Sequence, residues 1–187
     1  MNGLSLVMLV KNEEALLSKV LWSCRDWVDE VVIAVDSLST DRTETIAREH
    51  GATVVKVVLN QDYAQARNAG LAKVTLPWAL HLDADELPSR GLMPWIRAFV
   101  SVSGGHDVGA VCIARHNLIG GQPAPGREWE WHPRLFRSDL RYVNALHECV
   151  DTLYHPVHRT PERHFIQHYK TAERQAAQNE WYRRWEH

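Results

Sequence analysis

Apolar runs alternate with stretches of helical periodicity through the first 86 residues, and this alternation limits the folds open to the chain. Leu4 to Val10 is an apolar run of the kind found in a strand buried on both faces. Val31 to Val35 is a β-branched run closed by Asp36, Thr53 to Leu59 is a third strand, and Trp78 to Leu82 a fourth. Between the first two, Leu16, Leu17, Val20, Leu21 and Cys24 recur at helical spacing. Ser37 to Asp41 then offers several N-caps. Glu44 can complete a capping box for a helix through His50, and Gly51 takes the usual place after its end. An alanine-rich helix is expected from Tyr63 to Val74. Strand and helix in this order predict an α/β fold, with a mostly parallel sheet and right-handed crossovers. Lys11, Asn12, Asp36, Asp62, Asp83 and Asp85 follow strand ends. In a doubly wound sheet those ends lie along one edge, so these residues can converge on one crevice.

The fourth strand runs into Asp83-Ala84-Asp85-Glu86. Close carboxylates repel one another and resist burial unless a cation or hydrogen-bond donors compensate. Oxygen ligands at a strand end suit Mg²⁺ or Mn²⁺, held by one or two carboxylates and completed by substrate phosphates. The plainer alternative is an acidic loop capping a helix that begins near Ser89.

Beyond Asp85 the pattern loosens. Leu92, Trp95, Ile96, Phe99 and Val100 mark an amphipathic helix, Gly104-Gly105 a break, and Val108 to Ala114 a strand. The run Gly120 to Gly126 reads as a flexible loop. Trp129 to Phe136 reads as a strand that Pro133 restricts to an edge or a bulge. Arg134, Arg137 and Arg141 with Trp129 and Trp131 could form a basic aromatic surface for a sugar or an unstacked base, or simply alternate outward on an edge strand. Arg163 to Tyr169 is a last strand, and Thr171 caps a polar helix running to the end.

With 187 residues and no evident linker, the chain is expected to form a single domain. A formal net charge of -2 gives no general pull toward nucleic acid or acidic membranes. No apolar run approaches the roughly 20 residues of a membrane helix, and Leu4 to Val10 is too short for a secretory signal. Three widely spaced cysteines fit reduced thiols and a cytoplasmic location. His147, Cys149, His155 and His158 match no standard zinc spacing. Gly120-Gly121 lacks the Lys-Ser/Thr of a phosphate loop, and no dinucleotide fingerprint is present.

Four motifs in order carry a resemblance. They are Val10-Lys11-Asn12-Glu13-Glu14, Val35-Asp36-Ser37-Leu38-Ser39-Thr40-Asp41-Arg42-Thr43, Ala66-Arg67-Asn68 and Asp83-Ala84-Asp85-Glu86. Together they resemble the family 2 glycosyltransferases of the GT-A fold, closely from Leu4 to Glu86 and more loosely through His168. Leu38 departs from the glycine of many relatives. The resemblance implies a Rossmann-like mixed sheet flanked by helices, with a small antiparallel C-terminal extension. Residues 1–86 would form a nucleotide-binding half and residues 87–187 an acceptor-side half. It implies inverting transfer of a sugar from a nucleotide-sugar, most naturally UDP-linked, to an acceptor hydroxyl with Mn²⁺ or Mg²⁺. Leu9 and Lys11 would flank the nucleobase, Asp36 would bond uracil, and Arg67 would lie near the nucleotide. Asp85 would ligate the metal. Asp83 would contact ribose or a metal-bound water, and His168 would reach back toward the metal or diphosphate. Glu148, in His147-Glu148, is the expected general base, with Asp151 as runner-up. Glu86 would orient the acceptor or the loop, and Asn68 would be structural. A saccharide, a lipid-linked sugar, a peptide side chain and a hydroxymethylated nucleic-acid base all fit as acceptor. Two other classes stand beside this reading: a nucleotide-sugar-binding module without catalysis, and a sugar nucleotidyltransferase. The latter needs a glycine-rich loop with Arg and Lys that Leu4 to Glu14 lacks.

Overall fold

A computed structural model describes residues 2–102, 107–153 and 155–183. The expected break at Gly104-Gly105 and the end of the C-terminal helix lie outside these residues. The first half is a regular alternation. Strand β1 (Leu4–Val10) is followed by α1 (Leu17–Cys24), β2 (Glu30–Asp36), α2 (Thr43–Glu49), β3 (Thr53–Val57), α3 (Tyr63–Leu71) and β4 (Trp78–His81). These four strands pair in parallel in the order β3-β2-β1-β4, with Leu6 opposite Val31 on one side and Leu80 on the other. The apolar stripe of α1 buries Leu17, Val20, Leu21 and Cys24 against the sheet. Burial of this kind is worth about 1.5–3 kcal/mol per large side chain.

The second half is less regular. It runs β5 (Glu86–Pro88), α4 (Leu92–Val102), β6 (Ala110–Ile119), β7 (Gln122–Pro123), β8 (Trp129–Arg137), β9 (Tyr142–Val143), β10 (Cys149–Val150), β11 (Val157–Arg159), β12 (Phe165–Lys170) and α5 (Ala172–Arg183). Strand β8 inserts antiparallel between β4 and β6, and the sheet continues through β12 to β5. Strands β9 and β10 form a separate antiparallel pair, the small extension the sequence implies. No helix among the described residues is long and apolar enough to cross a membrane.

Several local expectations need correction. Of the two places expected for Pro133, an edge or a bulge, it takes the bulge, because β8 is interior: Val111 faces Leu135 while Cys112 faces Pro133. Arg134 is the extra residue of that bulge. A proline has no N–H for the ladder, so an interior strand tolerates it where the ladder is already interrupted. The basic aromatic surface does not form. Arg134 is buried, Arg137 lies over the Trp78 ring at 5.2 Å, and Arg141 donates to the Ser138 and Leu140 carbonyls. Glu44 makes no capping box; it pairs with Arg48 and Lys56, while Asp41 accepts from the Thr43 N–H. Asp62 caps α3 through the Gln65 N–H and is not among the residues lining the crevice.

Candidate active site

The parallel strand ends open on a crevice of about 1250 Å³. Its first wall comes from β1, the turn after it and the loop after β3. Leu9, Lys11 and Leu59 line it. Asp36 has no exposed surface, because the last residue of a central strand lies inside the sheet layers. Its carboxylate meets Lys11 Nζ at 2.7 Å and accepts the Leu38 and Leu59 N–H groups. Burial works against that charge, but the Lys11 hydrogen bond and the two N–H groups outweigh it and hold the carboxyl below its usual range.

The acidic turn after β4 separates its two aspartates. Glu86 Oε2 accepts the Asp83 N–H at 3.0 Å, and the Glu86 N–H donates to the Asp83 carbonyl at 3.1 Å. Glu86 is therefore a buried brace for the turn. Asp83 turns both oxygens toward guanidinium groups. Oδ1 is 3.2 Å from Arg67 and Oδ2 is 2.9 Å from Arg134. Burial would raise the Asp83 pKa, yet Arg134 and then Arg67 bring it well below the usual carboxylate range.

Asp85 faces elsewhere. Its Oδ2 lies 3.4 Å from His168 Nε2, and both side chains are about nine-tenths buried. The register of β12 places His168 beside Asn117 of β6 and Glu86 of β5. Asn117 Nδ2 donates to the Arg127 carbonyl and to Glu130, so Asn117 Oδ1 is an acceptor, 2.8 Å from His168 Nδ1. This network assigns the proton to Nδ1. Nε2 is then the ring nitrogen that faces the Asp85 carboxylate, the atom through which the imidazole would join Asp85 on a shared cation. Among the described residues no group of three or more His, Cys, Asp or Glu forms a closed ligand set. A two-residue site suits a divalent cation that substrate phosphates complete.

Arg67 and Asn68 leave α3 in different directions. Asn68 exchanges two hydrogen bonds with the Tyr142 backbone and so joins α3 to β9. Arg67, its side chain 11% exposed, touches Asp83, His81 and Glu148, the last through Nε at 2.7 Å. Glu148 lines the crevice from the loop between β9 and β10. That loop is held by the Tyr63 N–H donating to the Ala145 carbonyl, and His147 adopts φ +55 immediately before Glu148. A left-handed backbone at a non-glycine residue is uncommon and concentrates at functional sites. Asp151, the alternative base, is exposed and is not among the crevice-lining residues; its Oδ1 accepts the Leu153 N–H.

Three site residues, His81, Tyr142 and Arg134, hold places in the site that the sequence did not assign them. His81 is buried in β4, with Tyr142 Oη at 2.6 Å and Arg134 at 3.0 Å from Nδ1. Burial, then the charges of Arg67 and Arg134, push its pKa down to about 3. For Arg134 a signal did exist: a proline in an interior strand implies a bulge, and a bulge redirects its neighbour's side chain.

The fold and motifs agree with the comparisons. The family model described as "Glycosyl transferase family 2" matches residues 5–159. A TPR repeat-containing protein of Synechococcus elongatus is 35% identical over 153 residues, which is 81% of this chain and 36% of that protein. An uncharacterized glycosyltransferase of Mycobacterium bovis is 32% identical over 134 residues, covering 72% of this chain and 56% of the relative. This chain thus spans about a third to somewhat over half of these relatives' lengths. Among solved structures, residues 1–349 of Staphylococcus aureus TarS in complex with UDP align with TM-score 0.64 at 15% identity, over 91% of this chain and 60% of that one. That likeness supports the GT-A-type fold. With a family match across most of its length, and with residues of three of the four motifs lining one crevice, the chain belongs to glycosyl transferase family 2.

Proposed function

We propose that this chain moves a sugar from a UDP-linked donor to an acceptor hydroxyl, with inversion and with help from a divalent cation, Mn²⁺ or Mg²⁺. The observation that carries this reading is the Asp85–His168 pair in the crevice at the end of β4. Its chemistry fits the cation: one hard carboxylate, one imidazole whose Nε2 faces it, and open space for diphosphate oxygens. A cation there would neutralise charge growing on the leaving diphosphate. Leu9 and Lys11 line the wall where the uracil would sit, and the buried Asp36 behind them orients Lys11 and would serve as the acceptor for the uracil N–H. Glu148 is assigned as general base. It lines the crevice, and its Arg67 partner holds it in one orientation while leaving Oε2 for an acceptor hydroxyl. UDP bound by the TarS structure agrees with a uridine donor in this fold. The acceptor is left at the level of a hydroxyl-bearing molecule.

The test is UDP release from a panel of UDP-sugars, with Mn²⁺, with Mg²⁺ and with EDTA. Release that depends on the cation and is inhibited by UDP more strongly than by GDP or ADP is expected. Release unaffected by EDTA would overturn the cation assignment, and equal inhibition by all three nucleotides would overturn the uracil assignment.

A further inference from the structure

We propose that the acceptor presents a neutral sugar ring, free or lipid-linked, and that Glu130 is the residue that recognises its hydroxyls. That the ring is an acceptor rests on the glycosyltransferase reading. The register of β6 with β8 sets Glu130 directly opposite Arg115, and strand alternation puts Asn117 and His132 on the same face. All four line the crevice, as Glu148 does. Glu130 Oε2 accepts from Arg115 Nη2 at 2.7 Å and from Asn117 Nδ2 at 2.8 Å. Burial works against its charge, but Arg115 and Asn117 outweigh it and hold the carboxyl below its usual range. Its Oε1 accepts no hydrogen bond among the described residues and is not closed off from solvent. A carboxylate fixed through one oxygen, with the other open to a cavity, is placed to accept from a hydroxyl.

The charges around Glu130 select a neutral partner. Arg115 divides its guanidinium between Glu130 and Glu86, so its charge is already compensated. His132, with Nε2 3.7 Å from Glu130 Oε2, is neutral at pH 7, since burial and then Arg115 and Arg134 push its pKa down to about 4. A phosphate set against Oε1 would meet a like charge, and a metal ion would meet the neighbouring guanidinium. Hydroxyls meet neither penalty. Arg127, exposed and also lining the crevice, adds N–H donors for ring oxygens. The hairpin of β6 and β7 brings apolar surface: Leu118, Ile119, Ala124 and Pro125 line the crevice, and the Ala124 N–H donates to the Asn117 carbonyl. A mostly apolar wall with a few fixed polar groups suits the C–H face and the hydroxyls of a sugar. Asn117 also joins this subsite to the cation site, with Nδ2 on Glu130 and Oδ1 2.8 Å from His168 Nδ1.

The experiment compares Glu130→Gln with the wild-type chain. Gln keeps an oxygen for Arg115 and Asn117 but loses the charged acceptor. The probes are the methyl glycosides of glucose, galactose, mannose and N-acetylglucosamine, with glucose 6-phosphate as the anionic counterpart. Their binding is followed by saturation-transfer NMR in the presence of UDP and Mn²⁺, and affinities for UDP and UDP-glucose by calorimetry. At least one methyl glycoside is expected to bind the wild type more tightly than glucose 6-phosphate does. Glu130→Gln is expected to weaken it about 10- to 100-fold while the UDP and UDP-glucose affinities stay near wild type. In the wild type, Overhauser contacts from the Leu118 and Ile119 methyl groups to the ring protons are expected, and they decide the matter even if Glu130→Gln fails to fold. Four results would each overturn the proposal: no methyl glycoside binding to the wild type, tighter binding of glucose 6-phosphate, binding unchanged in Glu130→Gln, or a selective loss of UDP-glucose affinity there, which would put Glu130 on the donor's sugar. An equal loss of UDP affinity would also overturn it, by reducing Glu130 to a brace for Asn117 and His168. A wild-type chain that bound neither UDP nor UDP-glucose would sink the donor reading, and glycoside binding measured without nucleotide would still decide whether Glu130 holds a sugar.

Discussion

The two walls of the crevice are built by different means. On the wall from β1 to β4, each site residue takes its place from its own strand. Lys11, Asp36, Asp83 and Asp85 stand at or just beyond the carboxyl ends of parallel strands, and parallel pairing puts those ends on one edge. On the opposite wall, each residue takes its place from a distant partner. Arg134 depends on a bulge against β6, Glu148 on a loop bonded back to α3, and His168 on the register of β12 with β6. The first construction is local and repeats. The second exists only after the antiparallel strand β8 has inserted beside β4.

This contrast predicts which residues belong to which task. If the strand-end wall together with His168 serves the donor and the rest of the other wall serves the acceptor, Glu148→Gln should separate the two. Gln keeps the hydrogen bond from Arg67 but cannot take a proton. We expect kcat to fall about 100- to 10,000-fold with UDP affinity nearly unchanged. A variant with full turnover would remove Glu148 as base, and one that lost UDP binding would erase the division between the walls.

The same contrast explains what could be read from the sequence. The strands, the helices and the strand-end acids of the first half were legible because period and turn chemistry are local signals. Gly51 ends α2 with φ +75, as its position implied. Asn68 is structural, again as read. What could not be read was pairing between segments far apart in the chain. Arg67 and Glu148 are separated by 81 residues and Arg134 and Asp83 by 51, and no spacing rule brings such pairs together. The acidic turn was recognised, but not the opposite orientations of Asp83 and Asp85. Those orientations come from arginines on one side and a histidine on the other.

A smaller effect tests whether the walls lock together electrostatically. His81 belongs to β4 of the first wall, yet Arg134 and Tyr142 of the second hold it. Its folded pKa of about 3 lies below the ordinary value of 6.5. Between those values the unfolded chain binds a proton that the folded chain does not, so acidification favours unfolding. The loss should begin near pH 6.5 and grow by about 1.4 kcal/mol per pH unit, reaching roughly 2 kcal/mol at pH 5. The contribution from Asp83, whose pKa is depressed, is lost only at lower pH, so it does not enter this window. Urea unfolding at pH 7 and pH 5 reads the difference. His81→Gln should remove this share of the slope and leave that of His132, whose pKa burial and then Arg115 and Arg134 push down to about 4; an unchanged slope would mean that His81 is not held neutral between the two arginines.

The central claim is that the turn after β4 presents a cation and diphosphate site through Asp85. Calorimetric titration of UDP, with and without Mn²⁺, on the wild-type chain and on Asp85→Ala tests it most directly. The account predicts UDP binding that requires Mn²⁺ in the wild type and is lost in Asp85→Ala, while the melting temperature of the metal-free protein stays close to wild type. UDP binding of equal strength without Mn²⁺, or in Asp85→Ala with it, would contradict the account.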